Sequence, residues 1–169
     1  MIASKFRTVI AAALLSSSAS AITFDAKVVD VTDGDTVKVV TGETCTEGKN
    51  CRAGLVQYRI RLAEIDAPER KQPYGTKSKQ ALLGMVGGKQ VKVEQTDIDR
   101  YGRIVAQLYA GQLWVNGEMV KTGNAWVYPQ YAKTQALFQM QDEAKKQQQG
   151  LWSLPEGERV EPWKWRKAH

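Results

Sequence analysis

From Phe24 to Tyr109 apolar and polar residues alternate through five short segments bounded by turn residues, and this period of two constrains the fold more than any other feature. The first two segments, Phe24 to Val31 and Thr36 to Val40, are joined by Asp33-Gly34, a dipeptide that turns antiparallel strands. The third runs from Val56 to Ile65, with Tyr58, Ile60 and Leu62 on one face and Arg59, Arg61 and Ala63 on the other. Asp66-Ala67-Pro68-Glu69 ends it, because Pro68 cannot donate to a ladder and biases Ala67 away from helix. Ala81, Leu82, Met85 and Val86 have helical spacing and predict a helix between Tyr74 and Val86, stopped by Gly87-Gly88. Gln90 to Glu94 and Arg103 to Tyr109 read as the fourth and fifth strands, on either side of the turn Asp99-Arg100-Tyr101-Gly102.

Two later helices are expected. Asn116 to Thr122 is a short one, capped by Asn116 and closed by Gly123. Thr134 to Gln149 is longer, with Leu137, Met140, Gln141 and Ala144 near one side, and Gly150 ends it. Pro155 to His169 shows no clear period, and no internal repeat is visible. The resulting fold class is α+β and β-rich: a small closed or partly open five-stranded barrel of the OB-fold type, whose face often binds oligonucleotides. A generic α+β sandwich is compatible with the same pattern.

The amino-terminal residues have the three parts of a secretory signal: Lys5 and Arg7, an apolar run from Val9 to Leu15, and small residues ending in Ala19-Ser20-Ala21. The apolar run is far shorter than the ~18 residues that span a bilayer. Cleavage after Ala21 is expected, giving an exported protein, periplasmic or extracellular, with no membrane association thereafter. Removing 21 of 169 residues leaves 148, the size of one domain, and takes the formal charge from +6 to +4 as Lys5 and Arg7 are lost. A basic surface suits a polyanionic partner, although many solvated surfaces are equally basic. The expected organisation is a signal over 1–21, one domain over 22–152 and a carboxyl-terminal tail over 153–169.

Cys45 and Cys51 are the only cysteines, and in an oxidising compartment they are expected to form a local disulfide. Its short loop limits the stabilisation to roughly 3 kcal/mol or less. The single histidine is His169, so a structural zinc site, histidine general-base chemistry and a Ser-His-Asp or Cys-His triad are excluded unless the last residue folds back.

Three segments at strand ends or turns hold complementary chemistry: Asp33-Gly34-Asp35-Thr36, Arg61 to Glu69, and Asp99-Arg100-Tyr101-Gly102-Arg103. Asp35 and Asp66 are hard oxygen donors for a divalent ion, and donor type alone does not separate calcium from magnesium. Phosphodiester hydrolysis needs a nucleophilic water, neutralisation of the phosphoryl oxygens and help for the leaving oxygen. Arg61 and Arg103 offer planar donor forks of fixed charge for the second task. Glu69 stands where it could accept a proton from the attacking water or orient it. The blander readings are that Asp33-Gly34 is only a hairpin turn, that Arg61 and Arg103 pair with Glu64, Glu94 or Asp99, and that Arg59 and Arg100 make similar ion pairs or phosphate contacts.

Taken with Val115-Asn116-Gly117-Glu118-Met119-Val120, Gly123-Asn124-Ala125-Trp126-Val127-Tyr128 and Gly150-Leu151-Trp152, these segments resemble the staphylococcal nuclease, or thermonuclease, family in order and spacing. The resemblance runs from Phe24 to Trp152. It implies a five-stranded OB-fold barrel with three helices and a calcium-dependent endonuclease that hydrolyses DNA and RNA with little sequence preference, leaving 3′-phosphorylated products. Carried over residue by residue, it implies one Ca2+ held by Asp35, Asp66 and the carbonyl of Ala67, with Arg61, Arg103 and Glu69 catalytic. It departs from the best-known member at Ala67, where that protein has threonine, at Arg100 in place of lysine, and in the insert from Cys45 to Cys51.

Arg100, Tyr101 and Tyr128 are candidate nucleic-acid contacts, since aromatic faces grip bases without sequence preference. Trp126 and Trp152 are expected in the core, while Trp114, Trp163 and Trp165 stay open between packing, nucleic-acid contact and tail disorder. The chain is expected to act as a monomer. Two other classes compete with an active nuclease: a non-catalytic member of the same fold that binds nucleic acid or protein, and a small disulfide-stapled structural domain. Neither requires Asp35, Asp66 and Glu69 beside a phosphate, which they repel without a metal.

Overall fold

The computed structural model describes residues 22–42 and 54–169. The signal segment 1–21 and both cysteines, Cys45 and Cys51, lie outside the described residues.

The elements are β1 (Thr23–Val31), β2 (Thr36–Gly42), β3 (Leu55–Leu62), β4 (Ile65–Asp66), α1 (Gly75–Val86), β5 (Gln90–Ile98), β6 (Ile104–Ala110), β7 (Leu113–Trp114), α2 (Val115–Lys121), β8 (Trp126–Val127), α3 (Gln135–Lys146) and α4 (Pro162–Ala168). Strands run in the order β3-β2-β1-β5-β6, each antiparallel to its neighbour. The sheet closes because β6 returns to β3 in parallel, pairing Ile60 with Ile104, Arg61 with Val105 and Leu62 with Ala106. The expected five-stranded barrel is therefore present, and closure removes the edges an open sheet would expose. β7 extends the sheet past β6, and β4 pairs with β8 as a separate ladder.

Alternation sends one face of every barrel strand inward. Ala26, Val28, Val31, Val37, Val39, Ile60, Leu62, Val91, Val93, Ala106 and Leu108 fill the interior, and Leu82, Val86, Met119, Val120 and Leu137 from the helices join them. Burial of each larger aliphatic side chain contributes about 1.5–3 kcal/mol relative to exposure, which makes this core the main source of stability. On α3, Leu137 and Ala144 are buried, Met140 packs against the core, and Gln141 accepts the Val127 N–H through Oε1 at 2.9 Å, as the spacing predicts.

The structure differs from the sequence reading in three places. The third strand does not run through to Ile65: Glu64 sits at φ 66° and breaks the ladder after Leu62, so that β4 departs in a new direction. Asn116 is not a helix cap. It is wholly buried, accepting the Leu108 N–H through Oδ1 at 3.0 Å and donating through Nδ2 to the carbonyls of Ala63 at 3.0 Å and Ala106 at 3.2 Å. Trp114 holds the cap position without a side-chain bond, and α2 is instead fastened laterally to β6 and to the β3–β4 turn. Finally, the tail is ordered: 3-10 turns at Gly150–Ser153 and Glu156–Glu158 lead to α4, giving four α-helices among the described residues where three are expected. Pro162 at the first turn supplies a start signal that periodicity does not, since its fixed φ suits that position.

The tryptophans divide accordingly. Trp152 is buried and meets Trp126 edge-on at 4.4 Å, whereas Trp114 donates through Nε1 to Gln107 Oε1 at 2.7 Å and Trp165 stacks on His169 at 3.8 Å. Trp163 stacks on Tyr128.

Because Asn116 satisfies three buried backbone groups, Asn116→Ala is expected to lower stability on the order of 3 kcal/mol, readable as a reduced midpoint in urea denaturation.

Candidate active site

Register brings the chemistry-bearing segments together. Thr36 pairs with Arg61 in the β2–β3 ladder, so Asp35, at the entrance to β2, lies beside the carboxyl end of β3. The backbone carbonyl of Asp35 accepts the Leu62 N–H at 2.8 Å. Gly34 allows the Asp33–Asp35 turn to press against α1: a Cβ there would collide with the side chains of Ser78 and Ala67. The reversal at Glu64 then carries Asp66 back toward Asp35, and the pairing of Asp66 with Trp126 in β8 fixes it there.

Asp35 and Asp66 are both buried and share one guanidinium. Arg61 Nη1 lies 3.1 Å from Asp35 Oδ2, and its Nη2 donates to Asp66 Oδ1 at 2.9 Å. Asp35 Oδ2 also accepts the Ala67 N–H at 2.9 Å, while its Oδ1 accepts the Thr36 hydroxyl at 2.9 Å. Arg61 thus pairs with the two site aspartates and not with Glu64, Glu94 or Asp99.

Burial raises all these carboxyls, and neighbours decide the outcome. For Asp35, burial is outweighed by the Arg61 charge, the Ala67 N–H and the Thr36 hydroxyl, so its pKa is lowered. Asp66 is pushed up to about 6 by burial and by the Asp35 charge, against the opposing pull of Arg166 and Arg61. Asp33 rises to about 7 from burial and the charge of Asp35. Three neighbouring carboxyls thus face two guanidiniums, those of Arg61 and Arg166, and two of the three hold their protons more tightly than an exposed aspartate does.

An open cleft of about 1220 Å³ runs from this cluster toward the Asp99–Arg103 turn, and Arg61, Asp66, Glu69, Arg100, Tyr101 and Arg103 line it. Asp99 organises that turn by accepting the N–H groups of Tyr101 at 2.9 Å and Arg103 at 3.0 Å through Oδ1. Its Oδ2 takes Arg103 Nε at 2.7 Å, so the ordinary ion pair and the candidate role coincide in one residue, with Asp99 aiming the guanidinium. Tyr101 is 66% exposed at the tip, with the guanidinium carbons of Arg100 and Arg103 at 5.1 and 5.5 Å from its ring centre. Tyr128 also lines the cleft, but Trp163 covers one of its faces at 5.0 Å and 5° between planes, and Tyr131 meets it edge-on.

Comparison with known proteins fits this geometry. A family model described as "Staphylococcal nuclease homologue" matches residues 59–154, more than half of the chain. The chain belongs to the staphylococcal nuclease family. An "Uncharacterized endonuclease" of Escherichia coli is 43% identical over 141 residues, covering 83% of each chain. The "Micrococcal nuclease" of Shigella flexneri is 37% identical over 174 residues, covering 96% of this chain and 92% of its own. A "Probable staphylococcal-like nuclease" of Oryza sativa subsp. japonica is 41% identical over 111 residues, and there the match spans only 29% of the relative's length. As a staphylococcal nuclease homologue the protein is a nuclease, a hydrolase whose substrates are nucleic acids.

Among the described residues, no group of three or more acidic, histidine or cysteine side chains converges as a metal cage. The donor set of this nuclease nonetheless suits a hard divalent cation. Asp35 and Asp66 are buried and come close enough to share a single guanidinium, and the backbone of Ala67 is held beside them by its N–H on Asp35.

The sequence reading missed Arg166, which α4 delivers to Asp66 and Glu69, and Gln72, whose Oε1 accepts the Glu69 N–H at 3.0 Å. Trp163 and Arg166, three residues apart behind Pro162, share a helix face, and that was the available signal.

Asp33 provides a pH test. Its folded pKa of about 7 lies above its ordinary value of 3.8, so the native protein keeps a proton that the unfolded chain releases. That contribution is complete below about pH 4 and lost as pH rises through 7. In chelator, the stability of the wild type relative to Asp33→Asn is expected to fall across that window, as read by thermal melts. Parallel curves would contradict the shift.

Proposed function

We propose that this nuclease is a calcium-dependent endonuclease that hydrolyses internal phosphodiester bonds of DNA and RNA with little sequence preference and leaves 3′-phosphates. The observation that carries the reading is the arrangement around Arg61: one guanidinium between two buried aspartates on the wall of a cleft that also holds Glu69 and Arg103. Asp35, Asp66 and the Ala67 carbonyl would hold one Ca2+. When bound, the ion supplies positive charge against the phosphoryl oxygens and brings water close to phosphorus.

The protein groups then have separable tasks. Arg61 has five N–H donors, and its contacts to Asp35, Asp66 and the Ile65 carbonyl engage only its two terminal nitrogens, so donors remain for a phosphoryl oxygen. Asp99 holds Arg103 in the lining of the same cleft, where the remaining guanidinium donors serve the same phosphate. Two fixed forks stabilise the charge that builds as water adds to phosphorus, a task ammonium groups perform less well. Glu69 orients the attacking water and accepts its proton. The bond to the 5′-oxygen breaks, the departing oxygen takes up a proton, and phosphate stays on the 3′ side. Arg100 and Tyr101, exposed at the turn tip, grip the flanking strand, and Tyr128 contributes its uncovered surface. A grip by charge and stacking has no need of base-edge readout, which accounts for the broad substrate range.

The enzyme is further proposed to be exported to the periplasm or medium, on the strength of the charged, apolar and small-residue parts of segment 1–21, and to act as a monomer. No described helix is long and apolar enough to cross a membrane.

Arg61→Ala and Arg103→Ala are each expected to reduce turnover on the order of a hundredfold or more, with nearly unchanged melting for Arg103→Ala. Normal turnover in either would overturn its assignment. Cleavage of single-stranded DNA, duplex DNA and RNA should stop in chelator and return with calcium, and end-group analysis should find 3′-phosphates. Activity persisting in excess chelator, or 5′-phosphate products, would refute the corresponding part.

A further inference from the structure

The carboxyl-terminal helix brings a third guanidinium to the site. α4 is docked through buried Pro162, through Trp163 stacked on Tyr128 at 5.0 Å and edge-on to Trp126 at 6.2 Å, and through the Gln72 amide, which donates to the carbonyl of Val160. Trp163 and Arg166 occupy one face of α4, so seating the indole fixes where the guanidinium falls. Arg166 Nη2 donates to Asp66 Oδ2 at 2.7 Å, and its Nη1 donates to Asp66 Oδ1 at 3.2 Å and to Glu69 Oε1 at 2.7 Å. Asp66 Oδ1 already accepts Arg61 Nη2, so both oxygens of the Asp66 carboxylate are engaged by guanidinium groups.

A divalent cation coordinated by Asp66 needs one of those oxygens at the short distance of a metal–oxygen bond, about 2.3–2.6 Å for calcium, and it repels the guanidinium that holds it. Of the two arginines, Arg166 is the one able to leave. Its side chain is 40% exposed on a terminal helix, whereas Arg61 is 14% exposed and bonded to both aspartates. We propose that Arg166 is an intramolecular counter-ion for Asp66 and Glu69 in the cation-free protein, and that a divalent cation binds by displacing it, so that docked α4 and the cation compete for one carboxylate. This inference rests on the reading of Asp35 and Asp66 as cation ligands. Linkage makes the competition reciprocal: Arg166 lowers cation affinity by the same factor that the cation weakens the docking of α4.

Calorimetric titration of calcium into chelator-stripped full-length protein tests this with wild type, Arg166→Gln, Arg166→Lys, Arg59→Gln and Asp66→Asn. Arg166→Gln is expected to bind calcium on the order of tenfold more tightly. Arg166→Lys should fall between, because it keeps the charge without the fork. Arg59→Gln removes a charge from the same cleft wall without touching Asp66 and should shift affinity about twofold or less. In wild type, saturating calcium should accelerate hydrogen exchange at the α4 amides. Equal calcium affinity in wild type and Arg166→Gln, or α4 exchange unmoved by calcium, would overturn the competition while leaving the cation site standing. An equal gain in Arg59→Gln would also overturn it, by assigning the effect to bulk charge. Binding undiminished in Asp66→Asn, or absent from all five proteins, would overturn the cation reading and the competition together.

Discussion

Asp35 and Asp66 stand side by side out of water, and an ionised carboxylate in such a place is costly unless a counter-charge and hydrogen bonds meet it. Arg61 meets both, which makes the guanidinium a structural as well as a chemical centre. The compensation is uneven. Asp35 collects Arg61, a backbone N–H and a hydroxyl and stays ionised, whereas Asp66 remains shifted upward even with two arginines beside it. Four carboxyl groups, those of Asp33, Asp35, Asp66 and Glu69, meet two guanidiniums there, an arrangement into which a divalent cation can enter with favourable electrostatics.

The barrel exists in the form needed to hold that arrangement. Antiparallel pairing of β2 with β3 sets Asp35 against Arg61, and the parallel return of β6 to β3 brings the Arg103 turn into the lining of the same cleft. Glu64, at its positive φ, bends the chain so that Asp66 faces Asp35 and does not continue along the strand. Asn116 ties the Ala63 and Ala106 carbonyls and the Leu108 N–H into one buried knot at that bend. A side chain that does not itself line the cleft therefore helps fix its geometry, because the bend and the strand it abuts share the same amide. At the Arg100-Tyr101 tip Asp99 holds the backbone while the two side chains stand exposed, as suits groups proposed to grip a flexible polymer.

Much of this was legible in the chain itself. Asp33-Gly34-Asp35-Thr36, the run from Arg61 to Glu69 and the Asp99–Arg103 turn are local motifs, so residue type and spacing suffice to single them out, and resemblance to one family orders them into a site. The barrel strands are visible because one face of each is buried. What escaped has a common physical origin in long-range contacts. The pairing of Ile60 with Ile104 leaves no mark on either strand, and Asn116 reads as a cap from its neighbours although its amide binds β6 just behind it and, 53 residues earlier, Ala63. Likewise, α4 is short and lacks periodicity, so its order comes from the burial of Pro162 and from Trp163 meeting Trp126 and Tyr128. Nothing within the tail announces that Arg166 meets Asp66, a hundred residues earlier in the chain.

Docking of α4 ties two properties of the cleft to one event. While Trp163 lies on Tyr128, one aromatic face in the cleft is covered, and while Arg166 lies on Asp66 and Glu69, two acidic groups are neutralised. Helical spacing makes these contacts rise and fall together, since the same short rigid element carries both side chains. A cation that dislodges Arg166 would consequently do more than occupy a ligand position. It would loosen the stacked indole, expose the ring of Tyr128 to a base, and release a guanidinium next to the place where a phosphate must sit. Charge balance and stacking surface would then change in the sense that favours a polyanion, and would do so only once the cation is present.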